Sequence, residues 1–221
     1  MKSRIIFDCD GVIVDSEILA AQNFLEALAQ FDYTPNLDEY TKIYAGKKDT
    51  DIVRILKDEL GLKLPEGFLE ETHQKLKARF AEELKVIPGM GELIRGLEMP
   101  KAVVSNSDLK HVEMCLELAG LSEVFGDRIF SADQVANPKP APDVYEFAIE
   151  QLGWNKEECL VVEDSLTGVE AAVGAGLEVV GFLGAGHIMG NHGEQVLALG
   201  AQALAENANS LQSYILQTVQ S

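Results

Sequence analysis

Asp8 and Asp10 stand one residue apart in the segment DCDGVIVDSE, directly after the apolar run Ile5, Ile6, Phe7 and just before Gly11. An apolar run that stops at acids reads as a buried strand of a parallel sheet, and the C-terminal edge of such a sheet is where open α/β folds hold ligands. Both carboxylates then project into a crevice. A close pair there is costly unless a cation neutralises it, and hard oxygen donors suit Mg²⁺. The chemistry this spacing suggests is phosphoryl transfer. Taken alone, the same residues also fit a strand followed by an acidic turn.

Three further segments bear on the choice. The run VVSNS, Val103 to Ser107, ends on hydroxyl and amide side chains, which puts Ser105 and Asn106 at a strand end, although such residues are also ordinary turn formers. In NPKPAPD, Asn137 to Asp143, three prolines fix the backbone around Lys139, so its ammonium can be held in one direction. The plainer reading there is an exposed lysine in a loop whose helix begins at Pro142. The segment CLVVEDSLTG, Cys159 to Gly168, repeats the pattern of an apolar strand stopping at acids, Glu163 and Asp164, with Ser165 as the cap of the next helix. Adjacent acids at a helix start also complement its dipole.

In the order DxDG, Ser, Lys, EDS, each at a strand end, these segments make the chain resemble the haloacid dehalogenase superfamily. The branch is the one with a small helical cap, close to the β-phosphoglucomutase-like phosphatases, and the resemblance spans essentially the whole chain. It implies that Asp8 is the nucleophile that becomes an aspartyl phosphate, and that Asp10 is the general acid and base. Ser105 and the neighbouring Asn106 would hold the phosphoryl oxygens, and Lys139 would neutralise them and orient Asp8. Mg²⁺ would be bound by Asp8, Asp164 and the backbone carbonyl of Asp10, with Glu163 beside it as a direct or water-mediated ligand. Each type has a physical reason: phosphoryl transfer leaves a protein mainly positioning and charge stabilisation to perform, and covalent capture splits one hard displacement into two easier ones.

The cap positions depart from the best-known relatives. The β-phosphoglucomutase pattern has a histidine on the first cap helix and a basic residue three places after the cap glycine; aligned on Gly46, these fall at Ala20 and Asp49. Losing that cation argues against holding the second phosphate of a bisphosphate, as a mutase must, and Asp49 cannot supply the Schiff-base lysine of a phosphonatase. A dehalogenase needs neither Asp10 nor the Glu163 and Asp164 pair, and a non-catalytic binding protein on this scaffold would be expected to lack the nucleophile or the lysine. The expected activity is therefore a phosphatase for a small phosphorylated metabolite. Lys47, Lys48 and Asp49 are candidate substrate contacts, suiting a sugar phosphate or a sugar-acid phosphate such as 6-phosphogluconate.

Positioning these groups requires an α/β fold, a doubly wound, Rossmann-like parallel sheet with an inserted helical cap. Helical spacing of apolar residues marks 16–31, 37–45, 50–60 and 65–84 with no strand between them, so residues 16–85 form the expected cap and residues 1–15 and 86–221 the expected core. Beyond Pro88 and Gly89 the signals alternate: helix 91–97, strand 102–105, helix 109–119, strand 128–131, helix 143–152, strand 160–163, helix 166–175, strand 179–183. A weak edge strand at 201–205 and a closing helix at 210–216 follow. Asp15 and Ser16, where the chain leaves the core, read as a helix start and a hinge for closure.

Charge and composition narrow the partners. With 18 basic and 36 acidic residues in 221, the formal net charge is −18. An anionic substrate meets a repulsive mean field, so local cations, namely the metal, Lys139, Lys47 and Lys48, must overcome it. Without a basic stripe interleaved with aromatics, nucleic acid is not an expected partner, and without a long apolar run neither is a membrane. The N-terminus lacks a secretory pattern and the odd set Cys9, Cys115 and Cys159 reads as reduced, packed thiols, so a cytoplasmic enzyme, monomer or weak homodimer, is expected. Period-two alternation would turn Cys9 away from the flanking acids, leaving it without chemistry. The segment GAGHIMGNHG, 184–193, lacks a phosphate-loop lysine and an acidic partner and reads as a surface loop. His73 and His111 read as surface or packing residues.

Overall fold

The computed structural model describes residues 1–44, 49–188 and 190–220. They divide into two compact units, one formed by Met1–Asp15 and Lys85–Ser221 and the other by Ser16–Leu84.

The first unit is an α/β sandwich. Its six strands are β1 (Arg4–Phe7), β2 (Lys101–Ser105), β3 (Ile129–Ser131), β4 (Cys159–Glu163), β5 (Glu178–Phe182) and β6 (Ala203–Ala205). All pair in parallel in the order β3-β2-β1-β4-β5-β6. The apolar, β-branched strand sequences follow from this position, since helices cover both faces: β2 and β4 are buried at every residue and Ile5, Ile6 and Phe7 are fully inaccessible. Each such side chain removed from water contributes about 1.5–3 kcal/mol, so the central strands anchor the unit. Its helices are α5 (Met90–Gly96), α6 (Leu109–Leu118), α7 (Ser122–Phe125), α8 (Asp143–Leu152), α9 (Leu166–Gly174), α10 (His192–Ala198) and α11 (Ala208–Gln220). The helices α7 and α10 were not anticipated: one is a single turn, and the other begins inside the glycine-rich segment, where propensity argues against a helix.

After β1 the chain places β2 and β3 on one side and then crosses to β4 on the other. That reversal beside β1 is the switch point at which a doubly wound sheet leaves a crevice above its C-terminal edge. Register fills the crevice. Phe7 pairs with Val162 and with Val103, so Asp8 comes level with Glu163 and with Val104.

The second unit contains α1 (Ser16–Ala29), α2 (Leu37–Tyr44), α3 (Asp49–Asp58) and α4 (Phe68–Glu83). Its own core joins Phe24, Leu28, Tyr40, Tyr44, Ile52, Leu56 and Phe68, with Phe24 edge-on to Phe68 at 5.6 Å between ring centroids. Asn23, buried on α1, donates to the carbonyl of Thr72 on α4 at 2.9 Å and so satisfies its amide inside that core. Among the described residues, no helix is long and apolar enough to cross a membrane.

Candidate active site

Lys139 is the centre of a buried charge network. The prolines around it hold its loop, and Asn106 clamps the backbone: its side-chain carbonyl accepts from Lys139 N at 2.8 Å while its amide donates to the Lys139 carbonyl at 3.1 Å. The Nζ of Lys139 donates to Asp8 Oδ1 at 2.6 Å, Glu163 Oε1 at 2.6 Å and the Val104 carbonyl at 2.9 Å, using all three ammonium protons. Its side chain is 2% exposed, so these bonds act with little screening. Although burial opposes the charged form, Asp8 and Glu163 hold the lysine well above its usual range. Tyr145 completes the network, its hydroxyl donating to Glu163 Oε1 at 2.9 Å.

Glu163 is committed on both oxygens. Oε1 receives Lys139 and Tyr145, and Oε2 receives the backbone N–H and hydroxyl of Ser165 at 3.2 and 3.1 Å. A direct bond from Glu163 to a metal would displace one of these donors. Ser165 also caps α9, accepting from Gly168 N at 3.0 Å, as its position before an apolar helical run predicts.

Asp8, Glu163 and Asp164 bring ligand oxygens within 4.8 Å of one another, and all three residues are buried. Burial pushes the Asp8 carboxyl well above the carboxylate range; Lys139 opposes this, and Glu163, Asp164 and Asp10 add to it. Three carboxylates gathered around one ammonium create a demand for positive charge that a divalent cation would meet. An all-oxygen donor set selects a hard ion, so the residues fit Mg²⁺. The floor of this cluster tolerates only glycine at position 11. Gly11 has φ of 78°, and a Cβ there would lie 2.0 Å from Asp164 Oδ2.

Asp10 sits in a different setting. Its Oδ2 accepts from Ser107 Oγ at 2.7 Å and lies 3.4 Å from Ser105 Oγ, while Oδ1 accepts from His111 Nε2 at 2.9 Å. Ser105 is buried and its hydroxyl accepts from Ser107 N at 3.1 Å. His111 was expected to be a surface or packing residue, and the structure corrects this. Asp108 caps α6 by accepting from His111 N at 3.0 Å, which starts the helix so that the imidazole reaches back to the loop after β1. Burial disfavours its charged form, but hydrogen bonds to Asp10 and Cys115 push its pKa up to about 10. Nothing local in the sequence could have found this contact, since 101 positions separate the partners.

The Asn106 side chain, at a candidate substrate-contact position, is engaged with the Lys139 backbone through both polar atoms. Two other expectations are corrected. The glycine-rich segment 184–193 does have an acidic partner: His187 Nε2 lies 3.2 Å from Asp164 Oδ2, His192 Nε2 lies 2.5 Å from the Asp164 carbonyl, and Gly186 N donates to the Asp15 carboxylate. Sequence separation hid this, because β5 intervenes between Asp164 and the segment and parallel pairing returns the chain to the same sheet edge. Cys9 is also not turned away, as its sulfur lies within 4.8 Å of an Asp10 oxygen. The strand ends at Phe7, and alternation no longer applies where the backbone bends. Among the cap candidates, Lys47 and Lys48 lie outside the described residues. Asp49 belongs to the helical unit, where its carboxylate pairs with His73 Nε2 at 2.7 Å.

Comparison with known proteins places this arrangement. Residues 5–182 match the model of the haloacid dehalogenase-like hydrolases, a span from β1 through β5 that contains Asp8, Ser105, Lys139 and Asp164. The chain belongs to that family. It is 31% identical over 179 residues to 6-phosphogluconate phosphatase of Escherichia coli, covering 80% of this chain and 81% of that protein. A conserved haloacid dehalogenase-like protein of unknown function from Agrobacterium tumefaciens superposes with a TM-score of 0.92 at 32% identity, over 99% of this chain and 100% of that one. A haloacid dehalogenase family hydrolase from Deinococcus radiodurans, crystallised with phosphate and sodium, gives 0.86 at 31% identity over 98% and 96%.

Proposed function

We propose that this hydrolase is a Mg²⁺-dependent phosphatase that cleaves a small phosphorylated sugar or sugar acid, of the 6-phosphogluconate kind, through a phosphorylated Asp8. The observation that carries the reading is the buried triad at the sheet edge, in which Lys139 bridges Asp8 and Glu163 at 2.6 Å each while Asp164 closes the oxygen cluster. The likeness to the Escherichia coli 6-phosphogluconate phosphatase supports the substrate class.

Asp8, Asp164 and the Asp10 backbone carbonyl would hold the ion, with Glu163 steering Lys139 beside it. When bound, Mg²⁺ would neutralise the charge of the carboxylates and of the transferring phosphoryl oxygens. Asp8 then attacks phosphorus, its new O–P bond forming as the ester O–P bond breaks. Asp10 gives its proton to the leaving alkoxide. Ser105 and Lys139 receive the phosphoryl oxygens, with the lysine also keeping Asp8 aimed. In the second half, Asp10 takes a proton from water as that water attacks phosphorus, which frees phosphate and restores Asp8. His111 and Ser107 position Asp10 in both steps.

Asp49 falls where the mutase pattern carries a base and is paired with His73, which supports hydrolysis over transfer within a bisphosphate. Three unbridged cysteines accord with a reducing, cytoplasmic setting, and a monomer or weak homodimer is the proposed assembly. Phosphate release over a panel of sugar and sugar-acid phosphates, with Mg²⁺ and with a chelator, tests the reading. A sugar-acid phosphate should lead the panel and the chelator should stop release; turnover that survives chelation would refute it.

A further inference from the structure

We propose that Cys9, Asp10, His111 and Cys115 form a second metal site, selective for a thiophilic ion such as Zn²⁺, and that filling it stops turnover by capturing Asp10. The inhibitory part rests on the reading of Asp10 as the acid and base. The site itself does not.

The ligand atoms of Cys9, Asp10 and Cys115 lie within 4.8 Å of one another. His111 Nε2 lies beside two of them, 3.3 Å from Cys115 Sγ and 2.9 Å from Asp10 Oδ1. In a tetrahedral zinc site with bonds of about 2.0–2.3 Å, neighbouring donors sit roughly 3.3–3.8 Å apart, so donors as far apart as the 4.8 Å bound on Cys9, Asp10 and Cys115 would draw in by about 1 Å on binding. Two sulfurs, one imidazole nitrogen and one carboxylate oxygen are a donor set for zinc. The neighbouring Asp8, Glu163 and Asp164 set is all oxygen and suits a hard ion, so the two sites differ in chemistry although they share a loop.

The fold builds the cluster from two elements. His111 and Cys115 are one turn apart on α6 and therefore share a face. That face meets the loop after β1, where Ile13 N bonds to the Cys9 carbonyl at 2.8 Å and the turn directs the Cys9 sulfur toward α6. Both thiols are buried, yet the His111 and Asp10 side chains are 18% and 14% exposed, which leaves the cluster an edge on solvent. On binding, the ion takes the place of the proton shared by His111 and Asp10, and that proton and the two thiol protons pass to solvent as the metal–nitrogen, metal–oxygen and metal–sulfur bonds form. An Asp10 oxygen held by the ion can neither deliver a proton to an alkoxide nor take one from water.

The test titrates the full-length, Mg²⁺-loaded protein with Zn²⁺ and follows phosphate release, and titrates it with Co²⁺ while recording near-ultraviolet thiolate-to-cobalt charge transfer. Expected are chelator-reversible inhibition at saturating Mg²⁺ and a charge-transfer band. Cys115→Ala and Cys115→Ser should keep Mg²⁺-dependent turnover, weaken the band, and require about 100-fold more Zn²⁺ for the same inhibition. X-ray absorption of the zinc-loaded parent should show sulfur at about 2.3 Å, a reading that needs no variant to fold. Absence of the sulfur shell and of the band, or undiminished Zn²⁺ inhibition in the Cys115 variants, overturns the proposal. If the parent instead hydrolyses no phosphate ester while the band and sulfur shell persist, the phosphatase reading falls and the metal site stands.

Discussion

Asp8 and Asp10 are separated by one residue and occupy opposite electrostatic regimes. Asp8 lies in a sealed network in which one lysine is shared with Glu163 and Asp164 crowds in, so its charge is governed by other charges. Asp10 lies in a cradle of neutral hydroxyls and one imidazole, with its side chain partly open to water. The first setting fixes a group in place and demands a cation; the second leaves a group able to exchange protons. In the proposed reaction a single turn at the end of one strand would supply both a group held for attack and a group able to carry a proton, because environments rather than residue types separate carboxylate roles.

The strongest way to break this contrast is Asp8→Asn, which keeps the shape and removes the attacking charge. Phosphate release should fall by at least about 10⁴-fold, as loss of a covalent nucleophile does in other enzymes. A variant that turned over near the parent rate would assign Asp8 a structural part only. Lys139→Met probes the sealed side from within. It leaves Asp8 and Glu163 facing each other in a buried site, so urea unfolding without metal should show a loss of about 3–5 kcal/mol. Added Mg²⁺ should return part of that stability; a variant as stable as the parent would mean the network contributes no net binding of the lysine.

Asp10→Asn sharpens the open side through the leaving group. Hydrolysis of a sugar phosphate, whose alkoxide needs a proton, should drop by about 10²–10⁴-fold, while p-nitrophenyl phosphate should lose far less. Equal losses on both esters would remove proton donation from the account. The smallest effect is expected for His111→Gln. A hydrogen bond to a charged group contributes about 1.5–3 kcal/mol, so kcat for the alkyl ester should fall by about 10–100-fold with KM little changed. A rise in KM alone would place His111 in substrate binding instead.

Much of the fold was legible because its signals are local. Strands β1, β2, β4 and β5 are apolar runs long enough to be recognised and terminate at polar residues, and the four helices of 16–84 show apolar spacing without competing strand runs. Helices α7 and α10 escaped because four residues carry no periodicity and because glycine at the start of a helix weakens its signal. The same division runs through the site. Asp8, Ser105, Lys139, Glu163 and Asp164 were legible as candidates because each stands at the end of a readable strand or in a proline-fixed loop.

His111, Cys115, His187 and His192 were missed, since their partners are distant in sequence and only sheet register and helix rotation bring them together. Local sequence determined which side chains with chemistry end each strand, because hydrophobic periodicity and turn residues act over a few positions. Tertiary structure alone decided how those groups are partnered. It gave Asp8 a lysine shared with Glu163, gave Asp10 an imidazole, and set two thiols beside it, because side-chain contact depends on distances across the sheet edge that no short window of sequence contains.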